Sequence, residues 1–296
     1  MNRKIEISVI LPVFNGGEYL NAAIDSILKQ SFEEFELLII NDGSTDDSWD
    51  IIARFAKSDK RVIAFNSGNR GLITQLNFGI DRARGRYIAR MDADDVSHKD
   101  RFIRQLQFMS ENKLDLCGTF YKIIDQNGNY KKKVELPEKD DEILLALARR
   151  CPFAHGSIMG SVEVFRRHRY SETHYSTIED YFLWTRMAMS NVKMGNVPEL
   201  LFEYRVHDTA FTNQKLRKMI ADARKLGSSY FIAQKCLIKK LVKSNNVNSR
   251  TLTDIILAKF MLGDKFVPLQ YYLYHPKSLI VANKEYFMRK YIERCI

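Results

Sequence analysis

Cysteine is scarce in this chain of 296 residues, and its four copies lie far apart: Cys117, Cys151, Cys236 and Cys295. No two stand at C-x-x-C spacing, which removes support for a zinc ribbon or a thioredoxin-type redox motif. A chain this long also buries enough surface to fold without a disulfide or metal staple. With 14 glycines and 6 prolines it is neither collagen-like nor low-complexity, and 45% apolar residues is too many for a disordered chain. No apolar run reaches the roughly 18 residues of a spanning helix. Met1-Asn2-Arg3-Lys4 opens like a signal peptide, but Glu6 interrupts the apolar stretch behind it, Pro12 ends it, and no small-residue cleavage site follows. The sequence therefore predicts a cytoplasmic protein with free thiols. The two common phosphate loops are missing as well. There is no GxxxxGK[ST], and Phe14-Asn15-Gly16-Gly17 stands where a GxGxxG would follow the first strand, which argues against an ordinary kinase, GTPase or dehydrogenase.

What is present is unevenly charged. Residues 211–296 carry 17 Lys and Arg against 5 Asp and Glu, whereas residues 1–210 carry 29 against 31. The net charge of +10 thus belongs to the last 86 residues, which are helical in pattern from about residue 212. Lys215, Arg217, Lys218, Arg224, Lys225, Lys235, Lys239, Lys240 and Lys243 recur there with Ile220, Phe231, Leu237, Ile238 and Leu241. One reading is a solvated face above a packing face. Another is peripheral contact with an anionic membrane, which Tyr271-Tyr272-Leu273-Tyr274 beside Lys277 would also suit. Nucleic acid ranks last, because no recognised motif accompanies the charge.

The first 100 residues alternate between two periods. Ile7–Val13 and Glu36–Ile40 read as buried strands, and Arg61–Asn66 and Arg86–Arg90 as two more. Between them fall helices with Tyr19, Leu20, Ala23, Ile24, Ile27 and Leu28, then Ile51, Ile52 and Phe55, on their inner faces, and a third over about Leu72–Arg82. This alternation predicts an α/β fold with a mostly parallel sheet covered by helices on both faces, ligands sitting beyond the carboxyl ends of the strands. Later segments predict a hairpin of Leu116–Ile124 with Tyr130–Glu135, a helix over about Asp140–Arg150, another from near Ile178, and strands at about 192–197 and 200–206. The expected division is 1–210 for a catalytic domain and 211–296 for a basic helical extension.

The strand ends are acidic. Asn41-Asp42-Gly43-Ser44 follows the second strand and Met91-Asp92-Ala93-Asp94-Asp95 the fourth. Asp42, Ser44 and Asp47 are equally explained as turn and helix-capping residues. Asp92, Asp94 and Asp95 are harder to explain so, because three carboxylates in four positions repel one another unless a cation sits among them. Carboxylates are hard ligands suited to Mg²⁺ or Mn²⁺.

Taken in order, Ser8-Val9-Ile10-Leu11-Pro12-Val13-Phe14-Asn15, Leu28-Lys29-Gln30-Ser31-Phe32 and Asn41-Asp42-Gly43-Ser44-Thr45-Asp46 resemble the opening of glycosyltransferase family 2. Met91–Asp95 resembles its DxD motif, and Ile178-Glu179-Asp180-Tyr181-Phe182-Leu183-Trp184 its ED-x-x-L-W motif. The likeness covers roughly residues 5–210. It implies a GT-A fold (Rossmann-like), a nucleotide-sugar donor and an inverting transfer. Position by position it implies that Pro12, Val13, Phe14 and Asn15 lie under the base and that Asp42 bonds it, typically uracil. Asp92 would face the ribose beside Ala93, and Asp94 would hold the metal that bridges the diphosphate. Asp180 would be the general base. Arg70, in Asn69-Arg70-Gly71, would touch phosphate or base. Tyr204-Arg205-Val206-His207 resembles the family's YRxH ending, in which His207 completes the metal site or contacts the diphosphate and Arg205 supports it; a plain strand end with an exposed histidine is the other account. His155, in a loop that precedes the family's acceptor site, is either an acceptor contact or a satisfied structural residue. Met159-Gly160-Ser161 lacks the arginine expected near there, so acceptor contacts are not carried across.

The chemistry is consistent with these roles. A metal at Asp94 neutralises the charge growing on a nucleoside diphosphate leaving group. Single displacement then needs one carboxylate on the acceptor face, unlike the pair of a retaining glycosidase. Ser176-Thr177-Ile178-Glu179 matches a capping box, which gives Glu179 a structural explanation; Asp180 in the first turn would by position be a stability feature, and it is the resemblance to the family motif that implies it as the catalyst, with Glu179 and Asp95 as candidate supporting residues. The expectation is a metal-dependent (Mn²⁺ or Mg²⁺) inverting glycosyltransferase, transferring one sugar from a nucleotide donor, most simply UDP-linked, to a glycan or lipid-linked glycan in surface-polysaccharide (O-antigen or capsule type) assembly. It would be cytoplasmic, with peripheral membrane contact through 211–296. A sugar nucleotidyltransferase would need a basic glycine-rich loop after the first strand, and a non-catalytic relative would have lost Asp94 or Asp180; neither holds here.

Overall fold

The computed structural model describes residues 5–173, 175–207 and 211–243, without the side chains of 211–216 and 242–243. The chain opens as β1 (Ile7–Val13), α1 (Gly17–Leu28), β2 (Phe35–Asp42), α2 (Ser48–Ser58), β3 (Val62–Ser67), α3 (Leu72–Arg82) and β4 (Tyr87–Arg90). β1 pairs in parallel with β2 on one side and β4 on the other, and β2 pairs in parallel with β3. The chain therefore winds outward to β3 and returns across β1 to β4. The turns after β1, β2 and β4 open at one edge, beside the switch point between β1 and β4.

Side chains alternate along β1 because a strand presents successive residues to opposite faces. Ile7, Val9, Leu11 and Val13 join Leu20, Ile24 and Ile27 of α1 and Ile51 and Ile52 of α2 in one core cluster. Ile10 points the other way, into a second cluster with Ile73, Leu76 and Ile80 of α3. Each fully buried Ile or Leu contributes about 1.5–3 kcal/mol. The sheet is thus filled from both faces, as the strand–helix alternation predicts.

The second half comprises β5 (Val96–Ser97), α4 (Arg101–Asn112), β6 (Leu116–Asp125), β7 (Tyr130–Val134), α5 (Asp140–Ala146), a 3₁₀ turn over His155–Ser157, β8 (Met159–Ser161), α6 (Val162–Arg167), α7 (Glu179–Met189), β9 (Met194–Val206), α8 (Phe211–Ala233) and α9 (Lys235–Lys243). The sheet runs β3-β2-β1-β4-β8-β6-β9-β5, with β7 added to β6. Beyond β4 it is mixed: β6 and β9 are parallel, whereas β8 is antiparallel to both β4 and β6.

Several boundaries differ from the sequence pattern. The strands expected at 192–197 and 200–206 are one strand, β9. Pro198 has no N–H to give the ladder, so the pairing passes from Thr119↔Val197 to Phe120↔Leu200 through a bulge. The helix expected to reach Arg150 ends at Ala146. The capping box at Ser176 does not form. Ile178 precedes the helix without a side-chain cap, and Glu179 is its first residue. The turn before it is closed by Ser176 N–H to Thr173 O and Ile178 N–H to Tyr175 O, the first of which takes the N–H that the Glu179 side chain would accept. β5, β8, α4 and α6 have no counterpart in the sequence pattern, being short or lacking a clear period.

α8 and α9 lie against the body of the molecule. Leu226, Tyr230, Phe231 and Ile238 are buried in the same cluster as Leu145, Leu147 and Tyr181. Arg217, Lys218, Arg224, Lys225, Lys235, Lys239 and Lys240 are exposed. Among the described residues this is the packing-face arrangement, except that Ile220 and Ile232 are exposed. The aromatic run 271–274, Lys277, Cys295 and the boundary at residue 210 lie outside the described residues. Cys117, Cys151 and Cys236 are free thiols, and no described helix is long and apolar enough to cross a membrane.

Candidate active site

The turns after β1 and β2 are clasped together. Asn15, held at φ 52°, donates its backbone N–H to Ser44 Oγ (3.0 Å), and its Oδ1 accepts from Thr45 N–H (2.8 Å). Gly16 N–H donates to Ser48 Oγ and Gly17 N–H to Asp46 Oδ2, each at 3.0 Å. Ser44 is therefore a clasp between loops and not the cap of α2, which is preceded by Asp47 without a side-chain bond. Phe14 is left 52% exposed at the sheet edge, in front of the buried Val13 and half-buried Pro12. Ala93 approaches from β4: a methyl group on Gly16 would lie 3.1 Å from its Cβ.

Asp42 is buried and turned toward the loop before α3. Its carboxylate accepts from the backbone N–H of Arg70 (2.7 Å) and Gly71 (2.9 Å) and from Gln75 Nε2 (2.5 Å). The turn that permits this needs Gly43, at φ +74°, because a Cβ there would stand 2.8 Å from Asn69 N. The Arg70 side chain is exposed beside this loop.

At the end of β4 the acidic residues divide into different environments. Asp92 pairs with the buried Arg90. Asp94, about a third exposed, has Oδ2 3.0 Å from His207 Nε2. Asp95 is buried; Oδ1 accepts from Arg205 N–H at 2.8 Å, and Oδ2 has no hydrogen-bond partner. Burial, then the neighbouring Asp94, pushes Asp95 well above the usual carboxylate range. Arg205 also gives Nε to the Asp94 carbonyl (2.8 Å) and lies 4.7 Å over the Tyr19 ring, while Tyr19 packs on His207. The YRxH segment thus meets the DxD segment across the β5–β9 pairing.

Asp94 and His207 fit a divalent cation. They present one carboxylate oxygen and one imidazole nitrogen side by side, and no group of three His, Cys, Asp or Glu gathers among the described residues. A pair of this kind leaves coordination positions for phosphate oxygens, which is how Mg²⁺ and Mn²⁺ commonly bind.

A second cluster faces the acidic segment. The His155 loop and β4 touch at Gly156, where a Cβ would lie 2.5 Å from Phe202 Cζ, 2.8 Å from Asp92 Oδ2 and 3.2 Å from Asp95 Oδ2. His155 Nε2 is 2.7 Å from Tyr170 Oη, and Nδ1 is 3.8 Å from Glu179 Oε1. Burial, then Arg90, holds the imidazole well below its ordinary pKa, so it is neutral at pH 7. Glu179 is buried; loss of water, then Asp180, raises it to about 7. Asp180 is half-buried and raised by desolvation, an effect offset by Tyr181 N–H, which donates to Oδ1 at 2.6 Å. The Cys151 thiol lies 3.6 Å from the other Asp180 oxygen, and burial pushes its pKa well up, so it acts as a neutral S–H donor.

Four residues of this constellation escape sequence reasoning: Arg90, Arg101, Cys151 and Tyr170. Arg101 is fully buried in α4; Nη1 donates to Gly156 O (2.9 Å) and Nη2 to Arg90 O (3.1 Å), tying the His155 loop to the end of β4. Desolvation lowers its pKa to about 9, which leaves it charged at pH 7. Its nearness to the DxD residues in sequence is the only signal, and an arginine there reads as surface.

The family model described as glycosyl transferase family 2 matches residues 8–169, more than half of the chain, so the chain belongs to that family. It is 33% identical over 213 residues to an uncharacterized glycosyltransferase of Rickettsia bellii, a match covering 71% of this chain and 30% of that protein. The chain thus spans about a third of the length of the Rickettsia relatives it matches. It is also 32% identical over 207 residues to the O-antigen biosynthesis glycosyltransferase WbnJ of Escherichia coli, covering 68% of this chain and 80% of WbnJ. Among solved structures, S. aureus TarS 1–349 in complex with UDP superposes with a TM-score of 0.57 at 18% identity, over 86% of this chain and 81% of that one. The mannosyltransferase PcManGT of Pyrobaculum calidifontis, in complex with GDP-Man and Mn²⁺, gives 0.57 at 14% identity, over 96% and 87%. The fold is GT-A.

Proposed function

We propose that this member of glycosyltransferase family 2 is a metal-dependent inverting transferase that moves one sugar from a nucleoside diphosphate sugar, UDP-linked, to a glycan acceptor. The observation that carries the reading is that the strand end bearing the Asp94–His207 pair touches the His155 loop at Gly156, through Asp92 and Asp95, and that His155 in turn faces Glu179 beside Asp180. One suits a cation and a diphosphate; the other suits proton removal.

In this reading Phe14 and Asn15 form the shelf under the base, backed by Pro12 and Val13. Asp42 acts on the base edge and holds the loop that carries Arg70. Asp92, set by Arg90, faces the ribose beside Ala93. Asp94 and His207 hold Mn²⁺ or Mg²⁺, which when bound supplies Lewis-acid neutralisation of the departing diphosphate. Arg205 and Asp95 fix that pair in place. Asp180 takes the proton of the acceptor hydroxyl as its oxygen attacks the anomeric carbon and the sugar–phosphate bond breaks on the opposite face. Burial raises its pKa, which makes it a better base than an ordinary aspartate. Glu179 and neutral His155 enclose it and exclude water. The likeness to WbnJ, named for O-antigen biosynthesis, supports surface-polysaccharide assembly; an O-antigen or capsule-type product and a lipid-linked acceptor complete the proposal. The division into a catalytic part, 1–210, and a basic part, 211–296, belongs to the same proposal, the exposed cations of α8 and α9 resting on an anionic membrane surface.

The test is calorimetric titration of the full chain with UDP, GDP and dTDP, with and without Mn²⁺, on wild type and Asp94→Ala. Metal-dependent binding of UDP, lost in the variant, is expected. Binding of GDP or dTDP instead would overturn the donor assignment, and binding of none of the three would overturn the transferase reading.

A further inference from the structure

Beside the site, α3 and the segment after α6 enclose an open cleft of about 360 Å³, within the range of small-molecule sites. Ile73, Phe78 and Tyr170 give it apolar walls. Its rim is polar: Asp81 is bound to Arg169 through two bonds of 2.6 and 2.8 Å, and Thr74 Oγ1 donates to Glu172 at 3.1 Å. The cleft is built into the fold. Asn77 Nδ2 holds the Tyr170 carbonyl (2.9 Å), and Arg169 Nη2 holds the Asn77 carbonyl (3.1 Å).

We infer that this cleft binds a neutral pyranose ring of the acceptor glycan, remote from the hydroxyl that reacts; the inference rests on the transferase reading above. Its position is the first argument. α3 begins immediately after the Arg70–Gly71 loop held by Asp42, and Tyr170 at the inner wall reaches His155, which faces Glu179 beside Asp180. The cleft therefore flanks the face on which the acceptor is deprotonated. Chemistry is the second. Among the lining residues Arg169 is engaged by Asp81, and Glu172 accepts from the neutral Thr74, so the cleft offers no free cation that calls for an anion such as a phosphate or uronate. Sugar hydroxyls both donate and accept, and so can bond carboxylate and guanidinium alike, while the ring's C–H face covers Phe78 or Tyr170. Binding of a remote ring would orient the reacting hydroxyl toward Asp180.

Ligand-observed NMR tests this with methyl β-glycosides of glucose, galactose and N-acetylglucosamine on the full chain, wild type against Thr74→Val and Glu172→Gln, both at the rim and remote from the core. The expected result is that wild type binds at least one glycoside and each variant binds it about tenfold more weakly, the weight of one hydrogen bond to a charged partner. No binding by wild type, or equal binding by the variants, overturns the inference. Nucleotide titration of the same samples separates the two readings. UDP binding without cleft-dependent glycoside binding removes only the subsite; cleft-dependent glycoside binding without any nucleotide binding keeps a sugar site and removes the transferase.

Discussion

Glutamine at position 179 offers a quantitative test of the buried acidic pair. Burial and the neighbouring Asp180 raise Glu179 from 4.5 to about 7. At about 1.4 kcal/mol per pH unit, keeping it ionised costs the folded state about 3 kcal/mol. The cost is absent below pH 4.5, where the group is protonated in folded and unfolded chains alike. It grows as pH rises toward 7 and is constant above. Glu179→Gln keeps the volume and removes the charge. Urea unfolding should therefore find the variant more stable than wild type by up to about 3 kcal/mol at pH 8 and by less than about 1 kcal/mol at pH 5. An equal stability gap at the two pH values, or a less stable variant at pH 8, would refute the account of Glu179 as a buried, uncompensated carboxylate.

Substitutions at three further positions probe the scaffold. Asp42→Ala leaves the N–H groups of Arg70 and Gly71 and the Gln75 amide without their acceptor; urea unfolding should show a loss of about 1–3 kcal/mol, and nucleotide titration a weaker affinity, whereas no change in either would disprove the loop-anchoring role. Gly156→Ala drives a methyl group against Phe202 and Asp92, so thermal unfolding should register about 1–3 kcal/mol of overpacking, together with weakened Mn²⁺-dependent nucleotide binding; a variant equal to wild type in both would show that the two segments do not touch as described. Arg101→Leu removes the donors to the Gly156 and Arg90 carbonyls and should cost at least about 2 kcal/mol, with Arg101→Lys recovering only part, since one ammonium lacks the planar fork that spans both. Full recovery by lysine would contradict that geometry.

Local periodicity in the chain was enough to define the N-terminal half of the fold. Ile7–Val13 and Leu72–Arg82 were legible to the residue, because a strand buried on both faces and a helix buried on one leave unambiguous spacing, and short α/β connections leave little freedom in how they join. The acidic strand ends were legible for the same reason: once the strands are placed, their carboxyl ends locate Asp42 and Asp92–Asp95. Only the tertiary structure decided how these carboxylates differ. Asp94 meets a histidine 113 residues away, Asp95 is sealed under Arg205, and Asp42 faces inward to a loop. Sequence pattern assigned Glu179 to a capping box, yet the preceding turn took the Ser176 N–H and left Glu179 buried beside Asp180. The buried arginines 90 and 101 had no local signature either. Burial, and the pKa and pairing that follow from it, is a property of what packs around a side chain, and spacing along the chain carries that information only where the packing partner is local.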